Sequence, residues 1–235
     1  MTAAIHGHEP ALTYEKIIER LLQSLHKAEA LPTQPGVVPW DAFHRLSDLV
    51  HANFDVPSTT FTAIMRRFLF GLGFAVSPRN IVGVGTYVGY TFSWLLRDRA
   101  AGDTAPLFET AVGIDVDAAA NQLARRNCAV LNHGDSLNFI EGDGPIALAE
   151  RKLPIDLLYL DLDDPLTGKL KYRDTLESAL PLLRSRAVVL AHDACISKFA
   201  GDFVVYHDFI RQSGLFLGPW VFPIDSCGLS LAVKK

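Results

Sequence analysis

Cysteine is scarce in this sequence, and long apolar runs and clusters of basic residues are missing. Its three cysteines, Cys128, Cys195 and Cys227, show no CxxC or cysteine–histidine spacing, which argues against a disulfide framework and a structural zinc site. We expect them to be buried small hydrophobes. No stretch of about 18 uncharged apolar residues offers a membrane span, and no basic, apolar leader begins the chain.

The charge balance is also informative, because the net charge is −4 and lysines and arginines form no run. A protein that binds nucleic acid through its phosphates normally shows a basic patch or stripe. We therefore expect a cytoplasmic protein that acts on a small molecule and binds neither nucleic acid nor membrane. At 235 residues, the chain suits one domain with an extension.

The first 75 residues carry helical patterns. Apolar residues from Tyr14 to Leu25 recur at helical spacing, prolines interrupt residues 31–39, and a helix resumes at Trp40. A third helix follows a start signal at residues 57–60, and we expect Gly71 and Gly73 to end it. This extension, residues 1–75, is predicted to be a lid or a dimer interface. Its aromatic residues are interpreted as core rather than as a wall for a substrate: Trp40, Phe43, Phe54, Phe61 and Phe68.

From Asn80 onward, short apolar runs alternate with helical stretches. Strands that are buried on both faces have this appearance, and each connection is long enough to hold a crossover helix. Residues 76–235 are therefore predicted to form an α/β domain around a mostly parallel sheet. The predicted strands are 81–84, 111–114, 137–140, 155–160 and 187–190.

The first of these strands leads directly into a glycine-rich turn at residues 83–91, followed by a predicted helix at 92–99. Glycines there let the backbone turn sharply and approach a ligand closely. The second strand ends in Asp115, which places a carboxylate beside the turn, where it can accept hydrogen bonds from ribose hydroxyls. The alternative is that Asp115 caps the helix beginning near Ala118.

Residues 80–235 resemble class I S-adenosylmethionine (SAM)-dependent methyltransferases, particularly the catechol and caffeoyl-coenzyme A O-methyltransferase group. The resemblance implies a Rossmann-like, seven-stranded sheet with helices on both faces. It also implies that Tyr87 and Thr91 hold the methionyl end of SAM, that Gly142 and Asp143 line the adenine pocket, and that residues 223–233 contain the final strand pair. The cofactor-binding residues it implies are Gly83, Gly85, Tyr87, Gly89, Thr91, Asp115, Gly142, Asp143 and Asp161.

The catalytic half departs from this pattern. Asp161 and Asp193 stand where the group has metal ligands, but the position of its catalytic lysine holds Asp164 and the position of a ligating asparagine holds Ala194. Magnesium needs several oxygen ligands, so these two aspartates offer at most a weak site, and operation without a metal is favoured. The acid of the family's Glu-x-Gly loop is replaced by Gly83, so Tyr87, Thr91 and an aspartate of a later loop are expected to hold the methionyl tail.

The hypothesis for the acceptor side is that one of four residues orients or deprotonates the nucleophile: Asp161, Asp164, His192 and Asp193. His192 is the best base by its intrinsic pKa. The alternative for His192 is a structural role as a hydrogen-bonded histidine at a strand end. The alternative for Asp164 is a place in a solvated turn before Pro165. Tyr172 either packs near the site or is a buried helix residue.

The predicted activity is methyl transfer from SAM to an oxygen or nitrogen of a small metabolite, and the resemblance implies a homodimer. Three alternatives stay open. The same pocket can use the aminocarboxypropyl side chain of SAM and release methylthioadenosine. A nicotinamide-dependent oxidoreductase uses a similar turn and acid, although residues 83–115 exceed its usual spacing of about 20 residues. A non-catalytic SAM-binding module is the third.

Overall fold

A computed structural model describes residues 13–31, 35–57, 61–96 and 108–235. Its helices are α1 Tyr14–Lys27, α2 Trp40–Asn53, α3 Ala63–Val76, α4 Tyr90–Leu96, α5 Ala118–Ala129, α6 Gly144–Ala149, α7 Lys171–Ala179 and α8 Ala200–Ser213. Its strands are β1 Asn80–Val84, β2 Thr110–Asp115, β3 Leu137–Glu141, β4 Ile155–Leu160, β5 Leu183–His192, β6 Phe216–Phe222 and β7 Leu229–Lys234.

The strands form one seven-stranded sheet in the order β3-β2-β1-β4-β5-β7-β6. Strands β1 to β5 are parallel, and β7 pairs antiparallel with both β5 and β6. The predicted Rossmann-like fold is therefore confirmed, and all five predicted strands are present. The order reverses between β1 and β4, and in open α/β sheets ligands bind at the carboxyl ends of the strands at such a reversal.

Two hydrophobic clusters cover the two faces of the sheet. Neighbouring residues of one strand belong to different clusters, because successive side chains point to opposite faces. Leu157 belongs to the cluster shared with α1 to α5, whereas its neighbour Leu158 belongs to the cluster shared with α6 to α8. The N-terminal helices thus pack into the first cluster, through residues such as Ile18, Phe43 and Phe68. The division at residue 75 stays a prediction.

The prediction that Gly71 and Gly73 end the third helix is wrong, because both lie inside α3. A Cβ at position 71 would lie 3.1 Å from a Leu22 methyl of α1, and one at position 73 would lie 2.9 Å from the Leu95 carbonyl oxygen of α4. These glycines therefore allow close helix packing. The helix ends instead at Ser77, which adopts a left-handed conformation.

Two further predictions need correction. Residues 223–233 do not hold both final strands, since residues 223–228 connect β6 to β7 and the first strand of the pair begins at Phe216. The sequence before residue 223 contains Gly218 and Pro219, which obscure a strand pattern. Among the cysteines, Cys128 and Cys227 are buried as expected, but Cys195 is exposed. Within the described ranges, no helix is both long and apolar enough to span a membrane.

A buried histidine makes the stability of this fold depend on pH. His207 of α8 lies 2.9 Å, through Nε2, from the Ser230 hydroxyl of β7. Burial lowers the pKa of His207 from 6.5 to about 4, a shift that Arg211 increases and Asp208 opposes. The folded state therefore keeps this ring neutral, while the unfolded chain binds a proton below pH 6.5. The resulting stability is present above pH 6.5 and is lost as the pH falls towards 4.

We expect His207→Gln to reduce the pH dependence of unfolding. Between pH 7 and pH 5, the wild-type free energy of unfolding should fall by about 2 kcal/mol more than that of the variant. Urea titrations at the two pH values measure this difference. His44→Gln is the control, because the His44 side chain is 54% exposed. Equal pH dependence in wild type and His207→Gln would contradict the shift.

Candidate functional site

A cleft of about 250 Å³ opens at the carboxyl ends of β1, β2 and β4, where the strand order reverses. Seven of the residues singled out from the sequence line it: Gly85, Tyr87, Asp115, Gly142, Asp143, Asp161 and Asp164. Gly83, Gly89, Thr91, His192 and Asp193 do not belong to this lining. The sheet thus brings these seven residues together at one edge. Gly83 lies inside β1, where a Cβ would lie 2.6 Å from the Thr86 methyl group, and Gly89 lies in the turn.

The turn after β1 requires glycine for steric reasons. Gly85 has a φ of +79°, and a Cβ there would lie 2.3 Å from the Leu162 backbone nitrogen. Gly89 also has a φ of +79° and packs beside the Cys128 sulfur. The backbone of Gly85 donates to the Ile114 carbonyl of β2 at 2.8 Å, which holds the turn against the end of the neighbouring strand.

Asp115 is oriented by backbone donors. Its Oδ2 accepts from the Tyr87 N–H at 2.8 Å, and its Oδ1 accepts from the Asp117 N–H at 3.0 Å. The alternative role as a helix cap belongs to Asp117 instead, whose side chain accepts from Ala119 and Ala120 at the start of α5. The Asp115 carboxylate is therefore fixed beside the turn, facing the cleft.

Asp143 and Asp164, which also line the cleft, share one lysine. The Lys171 ammonium lies 2.7 Å from Asp143 and 3.0 Å from Asp164. Asp143 also caps α6. Asp164 closes a turn by accepting from two backbone N–H groups, as its interpretation as a turn residue predicted.

This arrangement also affects the acidity of Asp164. Hydrogen bonds from Lys171, and then from the backbone of the turn, hold the pKa of Asp164 far below its ordinary value. So acidic a group is a poor base near neutral pH. Asp164 contacts Lys171 at the cleft, and its assignment to the acceptor side stays a prediction.

Three residues predicted for the acceptor side meet one that was not predicted, Lys169, in a partly buried group that we call the carboxylate cluster: Asp161, Lys169, His192 and Asp193. His192 Nδ1 lies 3.2 Å from Asp161 Oδ1 and 3.2 Å from Asp193 Oδ1. Asp161 also lines the cleft, so it connects the cleft to the cluster. Its other oxygen accepts from the Tyr159 hydroxyl at 2.9 Å.

The cluster shifts the ionisation of its members. Burial raises the pKa of Asp161, but the charge and hydrogen bond of His192, followed by the charge of Lys169, outweigh burial and lower it overall. Burial lowers the pKa of His192, but Asp161 and then Asp193 outweigh burial and raise it overall. A raised pKa makes His192 a stronger base.

The histidine ring has two different environments. Both neighbours of Nδ1 are carboxylates, which accept hydrogen bonds, so we assign the proton of the neutral ring to Nδ1. Nε2 is buried and has no hydrogen-bond partner among the described residues. The Phe61 ring lies 5.2 Å from the imidazole, centroid to centroid. Tyr172 is buried in α7, and its hydroxyl donates to the His192 carbonyl at 3.4 Å.

Sequence reasoning missed Lys169, Lys171 and Tyr159. Lys169 was missed because the family pattern has its lysine three residues after the first metal ligand, a position that Asp164 holds here. Lys169 stands eight residues after Asp161. The available signal was the presence of two lysines, at 169 and 171, in the loop that follows the acidic run 161–164.

A divalent metal ion does not fit the two aspartates that resemble family ligands. The Lys169 ammonium lies 2.9 Å from Asp193 Oδ2 and 3.4 Å from Asp161 Oδ1, so a positive charge already contacts both carboxylates. Within the described residues, His192, Asp193 and Cys227 place donor atoms within 4.8 Å of one another. That set mixes nitrogen, oxygen and sulfur, unlike the oxygen ligands that magnesium prefers.

Comparisons with known proteins agree with this fold. An O-methyltransferase from Bacillus cereus, solved in complex with SAH, is 19% identical with a TM-score of 0.61, covering 94% of this chain and 100% of that chain. The O-methyltransferase TomG from Streptomyces achromogenes, solved with SAM, is 21% identical with a TM-score of 0.62, covering 81% and 89%. The SAH-bound methyltransferase PaMTH1 from Podospora anserina is 14% identical with a TM-score of 0.59, covering 97% and 99%.

At these identities the solved structures establish the fold alone. No curated protein matches the sequence significantly. A family model described as a methyltransferase domain matches residues 82–194, which run from β1 past the end of β5 and include Asp115, Asp161 and His192. Residues 82–194, just under half of the chain, are therefore similar to a methyltransferase domain, and the sheet that carries them has the Rossmann-like fold.

Proposed function

We propose that the protein transfers a methyl group from SAM to an oxygen of a small molecule. The observation that carries this proposal is the fixed carboxylate of Asp115 beside the glycine turn, at the reversal of the strand order. Asp115 accepts hydrogen bonds from the ribose hydroxyls, and Gly142 and Asp143 border the adenine. Tyr87 and Asp161, which both line the cleft, hold the methionyl end, and a contact of Thr91 with SAM stays a prediction from the resemblance.

SAM supplies an electrophilic methyl carbon on a positively charged sulfur. The protein's part is to hold the acceptor oxygen in line with that carbon and to remove the acceptor's proton. Orientation within a site from which water is excluded supplies much of the rate enhancement in such a reaction.

His192 performs the proton transfer in this proposal. Asp161 and Asp193 hold the Nδ1–H, which leaves the lone pair of Nε2 to accept the proton of the acceptor hydroxyl. The acceptor oxygen then forms its bond to the methyl carbon as the carbon–sulfur bond breaks and its electron pair stays on sulfur. Phe61 gives the imidazole an apolar neighbour.

Product analysis tests the proposal. The protein is incubated with SAM labelled in its methyl group and a panel of hydroxylated aromatic and aliphatic acceptors, and products are identified by mass spectrometry. We expect S-adenosylhomocysteine and a labelled acceptor in equal amounts. Methylthioadenosine would instead indicate use of the aminocarboxypropyl group, for which the comparisons offer no support.

Two other outcomes would contradict methyl transfer. Calorimetric binding of NAD(H) without binding of SAM would indicate an oxidoreductase. Tight SAM binding without either product would indicate a binding module. A homodimer and a cytoplasmic location stay predictions from the sequence, and the mass in solution tests the first.

A further inference from the structure

We propose that Lys169 is a built-in cation that occupies the space between Asp161 and Asp193, so that the acceptor side of this site works without a metal ion. This proposal concerns the same site as the proposed methyl transfer and rests on that function only for its catalytic consequence. Its first support is direct contact, because the ammonium lies within 3.4 Å of an oxygen of each aspartate.

The position of this ammonium is set by the fold. The Lys169 side chain is 2% exposed, and its backbone N–H donates to Asp202 Oδ2 of α8 at 2.9 Å. The preceding residue, Gly168, has a φ of +59°, and a Cβ there would lie 2.7 Å from the same carboxylate oxygen. The loop is therefore held against the start of α8, which directs Lys169 inward.

Aromatic rings enclose the rest of the ammonium. Nζ lies 5.1 Å from the centre of the Tyr172 ring and 5.3 Å from that of Phe199. Both rings are buried, and their faces attract a cation. With two carboxylates and two rings around it, the ammonium is surrounded by favourable partners.

Charge accounts for the exclusion of a metal. Two carboxylates and one ammonium leave one net negative charge, and His192 Nδ1–H already contacts both carboxylates. A divalent ion would have to displace Nζ. The buried ammonium would then lose its carboxylate partners, which is strongly unfavourable. Ala194 stands where the family that the sequence resembles has an oxygen ligand. In this chain the Lys169 ammonium supplies the positive charge beside the two remaining aspartates instead.

The position of Lys169 also distinguishes it from a general base. Its Nζ contacts Asp161 and Asp193 and lies over the rings of Tyr172 and Phe199, so it is occupied by partners of its own and does not line the cleft. Lys169 is accordingly a positioning residue. It fixes the two aspartates that orient His192, although it stands eight residues after Asp161 and is brought back by the turn at residues 164–168.

The test is a titration with Mn²⁺ alone, followed by electron paramagnetic resonance of the free ion. Wild type and Lys198→Ala should leave Mn²⁺ unbound at this site, since Lys198 is an exposed lysine whose side chain is 72% accessible. Lys169→Ala should bind Mn²⁺ at least about tenfold more tightly than wild type, equivalent to about 1.4 kcal/mol. Adding Asp193→Asn to that variant should remove the gain.

Three results would overturn the proposal: Mn²⁺ binding by wild type that Asp193→Asn abolishes, no gain of affinity in folded Lys169→Ala, or a gain that Asp193→Asn leaves intact. If Lys169→Ala does not fold, Lys169→Met replaces it, because methionine keeps an apolar stem in the packed position and removes the charge. The comparison of Mn²⁺ binding by wild type and by Asp193→Asn tests the proposal without either variant. SAM affinity, measured by calorimetry on the same samples without metal, tests the proposed function separately.

Discussion

Asp115→Ala is expected to weaken SAM binding by at least about 100-fold, as measured by isothermal titration calorimetry. Two hydroxyls of the ribose lose a charged acceptor, and each hydrogen bond to a charged group is worth about 1.5–3 kcal/mol. The change also removes the acceptor of the Tyr87 N–H, which loosens the turn. Asp115→Asn keeps one acceptor oxygen, so its loss should be smaller, at about tenfold.

The matched control is Asp117→Asn, two residues further along the chain. It removes the same charge from the same loop, but its side chain caps α5, and asparagine serves equally well as a cap. We expect its SAM affinity to stay within about threefold of wild type, a difference below 1 kcal/mol. If Asp115→Ala binds SAM as tightly as this control does, the assignment of the cleft is wrong.

His192→Ala is expected to lower kcat by about 100-fold or more, since general base catalysis typically contributes that much. SAM affinity should change little, because His192 does not belong to the lining of the cleft. The measurement is the rate of S-adenosylhomocysteine formation with the best acceptor of the panel, together with the SAM dissociation constant of the same preparation.

His207→Gln serves as the control for the loss of a buried histidine. His207 is 8% exposed and contacts Ser230 rather than the carboxylate cluster, so its replacement should leave kcat unchanged at pH 7. His192→Gln adds a finer comparison, because glutamine retains a donor for the aspartates but has no basic nitrogen. A kcat for His192→Ala equal to that of wild type would remove His192 from the mechanism.

The glycine turn with Asp115 could be predicted from the sequence more fully than the contacts of the predicted acceptor-side residues. That Gly85 and Asp115 meet at one cleft was predictable because both positions are local: Gly85 directly follows a strand, and Asp115 ends the next strand. Parallel strands that neighbour each other bring such positions together. The aspartates at 161 and 193 and the histidine at 192 were predictable for the same reason.

The acceptor side depends on contacts that no local pattern encodes. Asp164 was grouped with the catalytic residues by its position in the acidic run, whereas the structure shows it in contact with Lys171 and with the backbone of its own turn. Lys169 is brought to the two aspartates by contacts of its loop with α8, some 33 residues further on. Spacing along the chain cannot reveal a partner that is set by packing.

Periodicity and composition by themselves determined the α/β class, the order of the first five strands along the chain, and the glycine turn with its acid, since these depend on residues close in sequence. Only the tertiary structure decided that Gly71 and Gly73 lie at helix contacts, that the last strand pair begins at Phe216, and that a buried lysine contacts both aspartates. The physical reason is that packing between distant elements determines which residues a side chain contacts, whereas the residues adjacent in sequence largely determine the backbone conformation.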